Sequence, residues 1–269
     1  MNTEMKIPLL GMGTWGMGGK YERDASNVEE SIFILQQGLD LGIRLIDTAE
    51  LYGEGLTEEI VGQAIKGYKR EDIFLITKVW KTHLHYHDVL EAAEKSISRL
   101  QTDYIDLYLI HQPNEAVSLG ETMQALEELV SLKKVRFIGV SNFHVPLIKE
   151  AQSYLRKTKL FANQIEYSFL ERSAEKEIIP FCKKNGIKII AHRPLAKGRM
   201  AIEQKGRLDI LSKKYQKTPI QIALNWLVSQ DIAVIPKTSN AKHLKEICGA
   251  VGWRLEENDI ELLRRNFMQ

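Results

Sequence analysis

The chain has 269 residues, and its 37 Lys and Arg against 35 Asp and Glu leave a formal net charge of only +2. That balance argues against a broad nucleic-acid surface, and no apolar run reaches the ~20 residues needed to span a bilayer. The two cysteines, Cys182 and Cys248, do not make a disulfide framework, and the N-terminal MNTEMKIPLL lacks the apolar core of a signal peptide. We therefore expect a cytoplasmic protein without nucleic-acid or membrane partners.

Short apolar runs recur along the chain, and most are apolar on both alternating faces, which is typical of parallel strands covered on both sides. Segments with helical periodicity lie between them, for example VEESIFILQQGLDLG (28–42), HDVLEAAEKSISRLQ (87–101) and GETMQALEELVSLKK (120–134). The predicted strands are LLGMGTW (9–15), IRLIDTA (43–49), IFLITKVW (73–80), YIDLYLIH (104–111), FIGVSN (137–142), FANQIEYS (161–168), KIIAHRP (188–194) and IAVIPKT (232–238).

Eight strands that alternate with helices predict an α/β fold, a (β/α)8 TIM barrel with an N-terminal strand or hairpin closing one end. The alternative is a doubly wound open sheet, which needs a Gly-rich phosphate loop leading directly into a helix. The segment GMGTWGMGG (11–19) contains glycines, but a polar loop follows it. No linker rich in Pro, Gly or Ser divides the chain, so we expect a single domain over residues 1–269.

Each predicted strand ends in a polar group, and the first five of these groups lie 31 to 33 residues apart, one βα unit each. In a barrel the carboxyl ends of the strands form the mouth in which active sites are built. In chain order the groups are Thr14, Asp47, Lys78, His111, Asn142, Gln164, His192 and Lys237.

Four residues of this region suggest acid catalysis. Asp47 and Lys78 would form an ion pair at the mouth, and Tyr52 lies in the loop just after Asp47. A free tyrosine has a pKa of ~10, and a nearby ammonium lowers that pKa by stabilising the phenolate. His111 adds a donor that can orient a carbonyl oxygen. The set suits protonation of a developing alkoxide and does not suit acyl transfer, because it contains no Ser or Cys nucleophile.

Other interpretations of the same residues remain open at this stage. Asp47 could be the N-cap of the next helix, and Lys78 or His111 alone could be an ordinary strand-end residue. HLHYH (83–87) could bind a metal, since alternate residues share one face of an extended strand, and a metal-assisted hydrolase would then use His83, His85 and His87. We favour a solvated loop that leads into a helix, with no metal bound.

Seven motifs, GMGTW, IDTAELYG, ITKVW, DLYLIH, GVSNF, NQIEYS and IPKTS, stand in the order and spacing of the aldo-keto reductases, and the chain resembles that family over almost its whole length. The resemblance implies a barrel that binds NADPH and reduces aldehydes or ketones to alcohols. It implies that Tyr52 is the general acid, that Lys78 tunes the pKa of Tyr52, that Asp47 orients Lys78, and that His111 positions the carbonyl.

The resemblance also implies a cofactor site and a substrate site. Asn142, Ser141 and Gln164 would bind the nicotinamide carboxamide, and Lys237 with Thr238 would meet the 2′-phosphate of NADP. The substrate wall would comprise Trp15, Tyr52, Trp80, His83 and His111. The full expected cofactor-binding set is Thr14, Trp15, Asp47, Ser141, Asn142, Gln164, His192, Arg193, Leu195, Lys237, Thr238, His243 and Glu246.

The chain departs from the family pattern at two cofactor positions. His192 stands where an aromatic Tyr or Trp often stacks on the nicotinamide, and Arg193 after it could approach the pyrophosphate as a fixed cation. His243 stands where NADP-dependent members commonly carry Arg, and a neutral imidazole binds phosphate less firmly than a guanidinium. Because Lys237 is retained, NADP is favoured and NAD is the alternative.

Two further expectations concern the whole molecule. Only three residues follow the helix-like ENDIELLRRN (257–266), so we expect no long C-terminal loop and a broad substrate range. The family resemblance implies a monomer. A competing function is a regulatory subunit that binds nicotinamide without turnover, and the intact set of four catalytic-type residues argues against it.

Overall fold

The structure is a computed structural model that describes residues 7–199 and 208–266. One parallel sheet contains eight strands in sequential order. A bridge between Leu10 and Val234 joins the segment before the first strand to the last strand, so the sheet closes almost completely into a barrel. The strands are β1 (Gly11–Gly13), β2 (Leu45–Asp47), β3 (Phe74–Val79), β4 (Ile105–Ile110), β5 (Val135–Ser141), β6 (Leu160–Glu166), β7 (Lys188–His192) and β8 (Ala233–Val234).

Helices surround this barrel, and local sequence explains where several begin and end. Gly42 has a φ of +91° just after the first helix, as expected for a glycine stop. Thr218 and Gln221 form a capping box at the start of the helix that begins at Pro219. No helix in the described part of the chain is long and apolar enough to cross a membrane. The helices are α1 (Val28–Asp40), α2 (Leu56–Ile65), α3 (Tyr86–Leu100), α4 (Leu119–Ser131), α5 (Val145–Tyr154), α6 (Ile178–Lys184), α7 (Asp209–Tyr215), α8 (Pro219–Val228), α9 (Ala241–Cys248) and α10 (Glu257–Asn266).

The structure confirms the predicted (β/α)8 barrel and the chain order of its strands. The segment GMGTWGMGG supplies β1 and a loop, not a phosphate loop that leads directly into a helix. The N-terminal strand or hairpin predicted to close one end falls in part on residues 1–6, which lie outside the described residues. Residues 267–269, on which the predicted absence of a C-terminal loop depends, lie outside them as well.

Side-chain alternation along each strand decides which residues face the barrel interior. Leu45 on β2, Phe74 and Ile76 on β3, and Leu107 and Leu109 on β4 fill the interior with apolar volume. Their neighbours of opposite parity pack against the helices in the larger core. The next interior positions toward the carboxyl ends are polar: Asp47, Lys78 and Gln164 are all nearly inaccessible to solvent. An apolar interior therefore ends in a layer of buried polar groups at the mouth.

Candidate active site

The strand-end residues singled out from the sequence all lie at the barrel mouth. Asp47 and His192 are the last residues of β2 and β7, and Lys78 is the second-last residue of β3. His111 and Asn142 come directly after β4 and β5. Each of the eight residues lies within three positions of the carboxyl end of its strand, with Lys237 the farthest out, three residues after β8. The predicted convergence of these groups at one end of the barrel is therefore what the structure shows.

The Lys78 ammonium is the centre of the site. Its Nζ donates to Asp47 Oδ2 at 2.9 Å, to the Thr48 carbonyl at 2.7 Å and to the Tyr52 hydroxyl at 3.3 Å. The Lys78 side chain has no solvent-accessible surface. Because an ammonium has three donors, these three partners satisfy it completely. Asp47 thus acts as the partner of a buried cation and not as a helix N-cap, and Thr48 joins the site without having been predicted.

The Asp47 carboxylate is held by a second residue from across the barrel. Gln164 Nε2 donates to Asp47 Oδ1 at 2.7 Å, so each carboxylate oxygen has its own donor. Thr14 Oγ1 donates to the Asp47 backbone carbonyl at 2.8 Å, which fixes the end of β2 against β1. A buried carboxylate needs such paired donors, because an uncompensated charge in a low-dielectric interior is costly.

The acidity of Tyr52 differs in one respect from the sequence-based prediction. Burial raises the pKa of Tyr52, and the nearby Lys78 ammonium lowers it again, but the net pKa lies above its ordinary value. The prediction that Lys78 favours the phenolate is therefore right in sign, while the expectation of a net lowered pKa is wrong. Burial also acts to lower the pKa of Lys78, yet Asp47 and Tyr52 together raise it above its usual value. At neutral pH the pair is a phenol beside an ammonium.

His111 is a neutral imidazole beside Tyr52. Burial, together with the Lys78 charge, lowers the pKa of His111 from 6.5 to about 2. Its ring meets the Tyr52 ring edge-to-face with centroids 5.6 Å apart, and it meets Trp80 at 5.1 Å. Its Nδ1 is buried without a hydrogen-bond partner among the described residues. A neutral imidazole that is short of a partner suits hydrogen bonding to a bound oxygen.

Asn142, Ser141 and His192 form a polar cluster after β5 and β7. Asn142 Nδ2 donates to Ser141 Oγ at 2.9 Å and to the His111 carbonyl at 3.2 Å, and its Oδ1 lies 3.3 Å from His192 Nε2. The Asn142 backbone has a φ of +63°, a left-handed conformation that Asn tolerates better than most residues. Burial and the Arg193 charge lower the pKa of His192 to about 3, so this ring is neutral at physiological pH.

Arg193 forms an ion pair at the mouth. Its guanidinium lies 2.7 Å from Glu166 Oε2, and both side chains are partly exposed. Its charge also acts to lower the pKa of Tyr52. Leu195, two residues later, is half-buried against the core. The pairing with Glu166 was not predicted from the sequence.

The predicted phosphate-binding residues lie between β8 and the start of α9. Thr238 Oγ1 accepts from the Asn240 backbone N–H at 3.0 Å, and Asn240 in turn caps α9 through the N–H groups of Lys242 and His243. Lys237, Lys242 and His243 are all exposed here. Glu246 lies one turn further along α9, where its carbonyl accepts from Gln221. Lys242 adds a cation that the sequence analysis did not consider.

Aromatic rings and one carboxylate line the remaining part of the mouth. Trp15 meets Tyr52 edge-to-face at 4.8 Å, and it meets the exposed Tyr21 at 5.2 Å. Glu50 accepts from the Trp80 backbone N–H, and the same oxygen lies 3.0 Å from His83 Nδ1. Sequence reasoning missed Tyr21 and Glu50. The position of Glu50 within IDTAELYG, between Asp47 and Tyr52, was the available signal for it.

The histidines of residues 83–87 do not share the geometry that a metal site needs. His85 precedes α3, which begins at Tyr86, so the segment is not the extended strand that the metal interpretation assumed. His83 faces Glu50, whereas His85 faces Glu121 on α4. Within residues 7–199 and 208–266, no three His, Cys, Asp or Glu side chains form a group that could hold a metal ion.

Known proteins match this chain in sequence and in structure over nearly its whole length. The sequence profile of the Aldo/keto reductase family matches residues 9–265. Methylglyoxal reductase YeaE of Escherichia coli is 30% identical over 268 residues, which cover 98% of this chain and 92% of that protein. The crystal structure of the thermostable aldo-keto reductase Tm1743 with the inhibitor epalrestat superposes with a TM-score of 0.93 at 40% identity, covering 98% of this chain and 97% of that one.

A Klebsiella pneumoniae aldo/keto reductase in complex with NADP and acetate has a TM-score of 0.86 at 32% identity, covering 97% of this chain and 92% of that one. These matches give no support to a metal-dependent hydrolase or to a non-catalytic subunit. They agree with the barrel fold. The chain belongs to the aldo/keto reductase family.

Proposed function

We propose that this protein is an NADP-dependent oxidoreductase that reduces small aldehydes and ketones to alcohols, with Tyr52 as the general acid. The observation that carries the proposal is the buried Lys78 ammonium, which touches both the Asp47 carboxylate and the Tyr52 hydroxyl. The relatives support it, since one is named a methylglyoxal reductase and a similar structure holds NADP.

The residues present fit a nicotinamide coenzyme. Amide and hydroxyl groups of Asn142, Ser141 and Gln164 lie together at the carboxyl ends of β5 and β6, as a carboxamide requires. His192 offers a neutral ring next to them. Lys237 and Lys242 supply exposed positive charge at the start of α9, which suits a phosphate group. When bound, the reduced coenzyme supplies the hydride.

Each catalytic residue has a distinct task in this proposal. Tyr52 holds the proton on its hydroxyl and donates it to the carbonyl oxygen as negative charge develops there. Lys78 stabilises the resulting phenolate, and Asp47 holds Lys78 in place. His111, kept neutral by burial, donates a hydrogen bond that orients the carbonyl. Trp15, Trp80 and His83 line the wall against which the substrate packs.

The remaining parts of the proposal concern the compartment, the domain organisation, the assembly state and the choice of coenzyme. Two free cysteines, Cys182 and Cys248, are consistent with a reducing cytoplasmic compartment. One sheet that contains all eight strands supports a single domain over residues 1–269. A monomeric state and the absence of nucleic-acid and membrane partners stay predictions. NADP is the favoured coenzyme because Lys237 is present, and NAD is the alternative because position 243 is His.

The test is oxidation of NADPH and of NADH by the purified protein, which is monitored by the loss of coenzyme absorbance. The substrates are a panel of simple aldehydes, ketones and α-oxoaldehydes such as methylglyoxal. We expect turnover with NADPH, slower turnover with NADH, and α-oxoaldehydes among the best substrates. Coenzyme binding is measured separately through tryptophan fluorescence. Coenzyme that binds without turnover on any carbonyl would favour the regulatory alternative, and absence of both binding and turnover would contradict the proposal.

A further inference from the structure

Glu58 is a buried carboxylate outside the barrel interior. It lies in the first turn of α2, and its side chain has no solvent-accessible surface. It touches neither the mouth nor Asp47. A carboxylate so fully removed from water must be paired or protonated, so the identity of its partners shows what it connects.

Two elements supply those partners. Arg99, in the last turn of α3, approaches Glu58 Oε2 with Nε at 2.7 Å and with its terminal nitrogen at 2.6 Å. Thr77 Oγ1 donates to the other oxygen, Glu58 Oε1. Thr77 faces the helix layer because it has the opposite parity to Lys78, the next residue of β3. Glu58 therefore holds β3 from the side of the helices, at Thr77, the residue before the proposed catalytic Lys78.

The same pair also supports the loop that carries Tyr52. Gly53, Glu54 and Gly55 have φ values of +53°, +50° and +86°, so all three residues between Tyr52 and α2 are left-handed. A Cβ atom added to Gly55 would lie 2.6 Å from Arg99 Cδ, so the loop backbone rests directly on the Arg99 stem. Backbone in such sparsely populated conformations persists only where its surroundings hold it.

A close approach between α2 and α3 completes this support. A Cβ atom added to Gly62 of α2 would lie 2.7 Å from the Arg99 carbonyl oxygen, so the two helices touch backbone to backbone at this point. Arg99 is therefore fixed at its backbone by α2 and at its guanidinium by Glu58. The loop that carries Tyr52 and the strand that carries Lys78 are thus both in contact with one buried ion pair.

We propose that Glu58 and Arg99 form a positioning pair that sets the separation between the Tyr52 hydroxyl and the Lys78 ammonium. Glu58 reaches Lys78 through Thr77, and Arg99 reaches Tyr52 through Gly55. The inference rests on the proposed function, in which the 3.3 Å contact between Lys78 and Tyr52 makes the tyrosine a usable acid. Displacement of a reacting group by about 1 Å can cost on the order of 100-fold in rate, so such a pair affects catalysis without touching substrate.

The alternative is a purely structural ion pair, and the chain offers a matched control for it. Asp106, near the amino end of β4, is buried and pairs with Arg70 at 2.7 Å and with Arg136 at 3.0 Å. Like Glu58, it is a buried carboxylate with two side-chain partners. Glu58 pairs with one cation and one hydroxyl, and Asp106 pairs with two cations. It lies at the end of the barrel opposite to the mouth. Asp106 also accepts from the Leu75 N–H of β3 at 3.0 Å, and the amide oxygen of Asn can keep that bond. Asp106→Asn therefore removes a buried charge and leaves the contacts of Glu58, Thr77 and Arg99 in place.

The first readout is the kinetics of Glu58→Gln, Thr77→Val and Asp106→Asn beside the wild type. Glu58→Gln should lower kcat by about 10- to 100-fold while KM for the coenzyme stays within about 2-fold. Thr77→Val, which removes only the link to β3, should change kcat in the same direction by less. Asp106→Asn should leave kcat unchanged. Thr77→Val also keeps the test decisive if Glu58→Gln does not fold, because it removes a single hydroxyl.

The second readout does not depend on turnover. The ultraviolet titration of Tyr52 is obtained as the difference between each protein and the same protein with Tyr52→Phe. If Glu58 holds Lys78 near the tyrosine, Tyr52 should ionise at higher pH in Glu58→Gln and Thr77→Val and at unchanged pH in Asp106→Asn. Unchanged titration and unchanged kcat in the first two variants would overturn the positioning role. Lack of turnover in the wild type would instead contradict the proposed function and leave the titration to decide this inference.

Discussion

Gln164 donates a hydrogen bond of 2.7 Å to Asp47 across 117 residues of chain, so the carboxylate that holds the Lys78 ammonium is itself held from the opposite wall of the barrel. Lys78 and Gln164 use different oxygens of Asp47. The orientation of the carboxylate is therefore fixed by two donors on two strands, before any coenzyme binds.

Replacement of Gln164 by Leu should lower the stability of the coenzyme-free protein. Loss of a hydrogen bond to a buried charged group costs about 1.5–3 kcal/mol, and the free energy of unfolding should fall by that amount. Denaturant unfolding of the coenzyme-free protein measures this fall separately from any effect on nicotinamide binding. An unfolding free energy equal to that of the wild type would mean that Gln164 serves the coenzyme alone.

Replacement of Lys78 by Met should make Tyr52 a weaker acid. The Lys78 charge lowers the pKa of Tyr52, so its removal should raise that pKa further above the ordinary value. We expect kcat to fall by roughly 100-fold or more, as is typical when general acid catalysis is lost. The variant also leaves Asp47 without its cation, so near-ultraviolet circular dichroism must first show native packing. A kcat close to the wild-type value would remove Lys78 from the mechanism.

Acid should destabilise the fold partly through His111. The pKa of His111 is about 2 in the folded state and 6.5 in the reference state, so the unfolded chain binds a proton that the folded chain excludes. A lowered folded-state pKa gives stability that is present above about pH 6.5 and is lost as the pH falls below it. The slope is about 1.4 kcal/mol per pH unit for each such histidine.

His111→Gln should reduce that slope by about 1.4 kcal/mol per pH unit between roughly pH 4 and pH 6. Denaturant unfolding at several pH values in this window measures it. His192→Gln is the companion variant, because burial and Arg193 lower the pKa of His192 to about 3 in the same sense. If the His111 variant has the wild-type slope, the folded imidazole takes up a proton over this pH range as the unfolded one does, and burial does not keep it neutral.

Coenzyme preference should depend on Lys237. Lys237→Ala should raise KM for NADPH by about 10-fold or more and leave KM for NADH nearly unchanged, since only NADPH has the 2′-phosphate. His243→Arg should act in the opposite direction by adding a guanidinium at the start of α9. Lys245→Ala, an exposed lysine in the last turn of the same helix, is the control. Equal changes of KM for NADPH and for NADH would show that Lys237 does not bind the 2′-phosphate.

Much of this arrangement could be predicted from the sequence because it depends on strand periodicity. Alternation along β2 and β3 places Asp47 and Lys78 on the same inner face as Leu45 and Ile76, and the barrel then brings the strand ends together. Side-chain contacts between neighbouring elements were not predicted. Glu58 with Arg99 and Glu166 with Arg193 depend on how neighbouring elements pack, which no local pattern encodes.

The net acidity of Tyr52 was also beyond sequence reasoning. The sequence showed the cation that would lower the pKa of Tyr52, and the fold adds burial, which raises it by more. A metal site at His83, His85 and His87 was the alternative that the sequence analysis did not favour. It assumed an extended strand, whereas α3 begins at Tyr86 and separates the side chains toward different carboxylates.

The most direct test of the central claim is kcat of Tyr52→Phe beside the wild type, with NADPH affinity measured in parallel by tryptophan fluorescence. The variant removes only the hydroxyl that Lys78 contacts at 3.3 Å. We predict that kcat falls by at least about 100-fold while the Kd for NADPH stays within about 2-fold, since the hydroxyl acts on the proton and not on coenzyme binding. A kcat within a few-fold of the wild type would contradict the assignment of Tyr52 as the general acid.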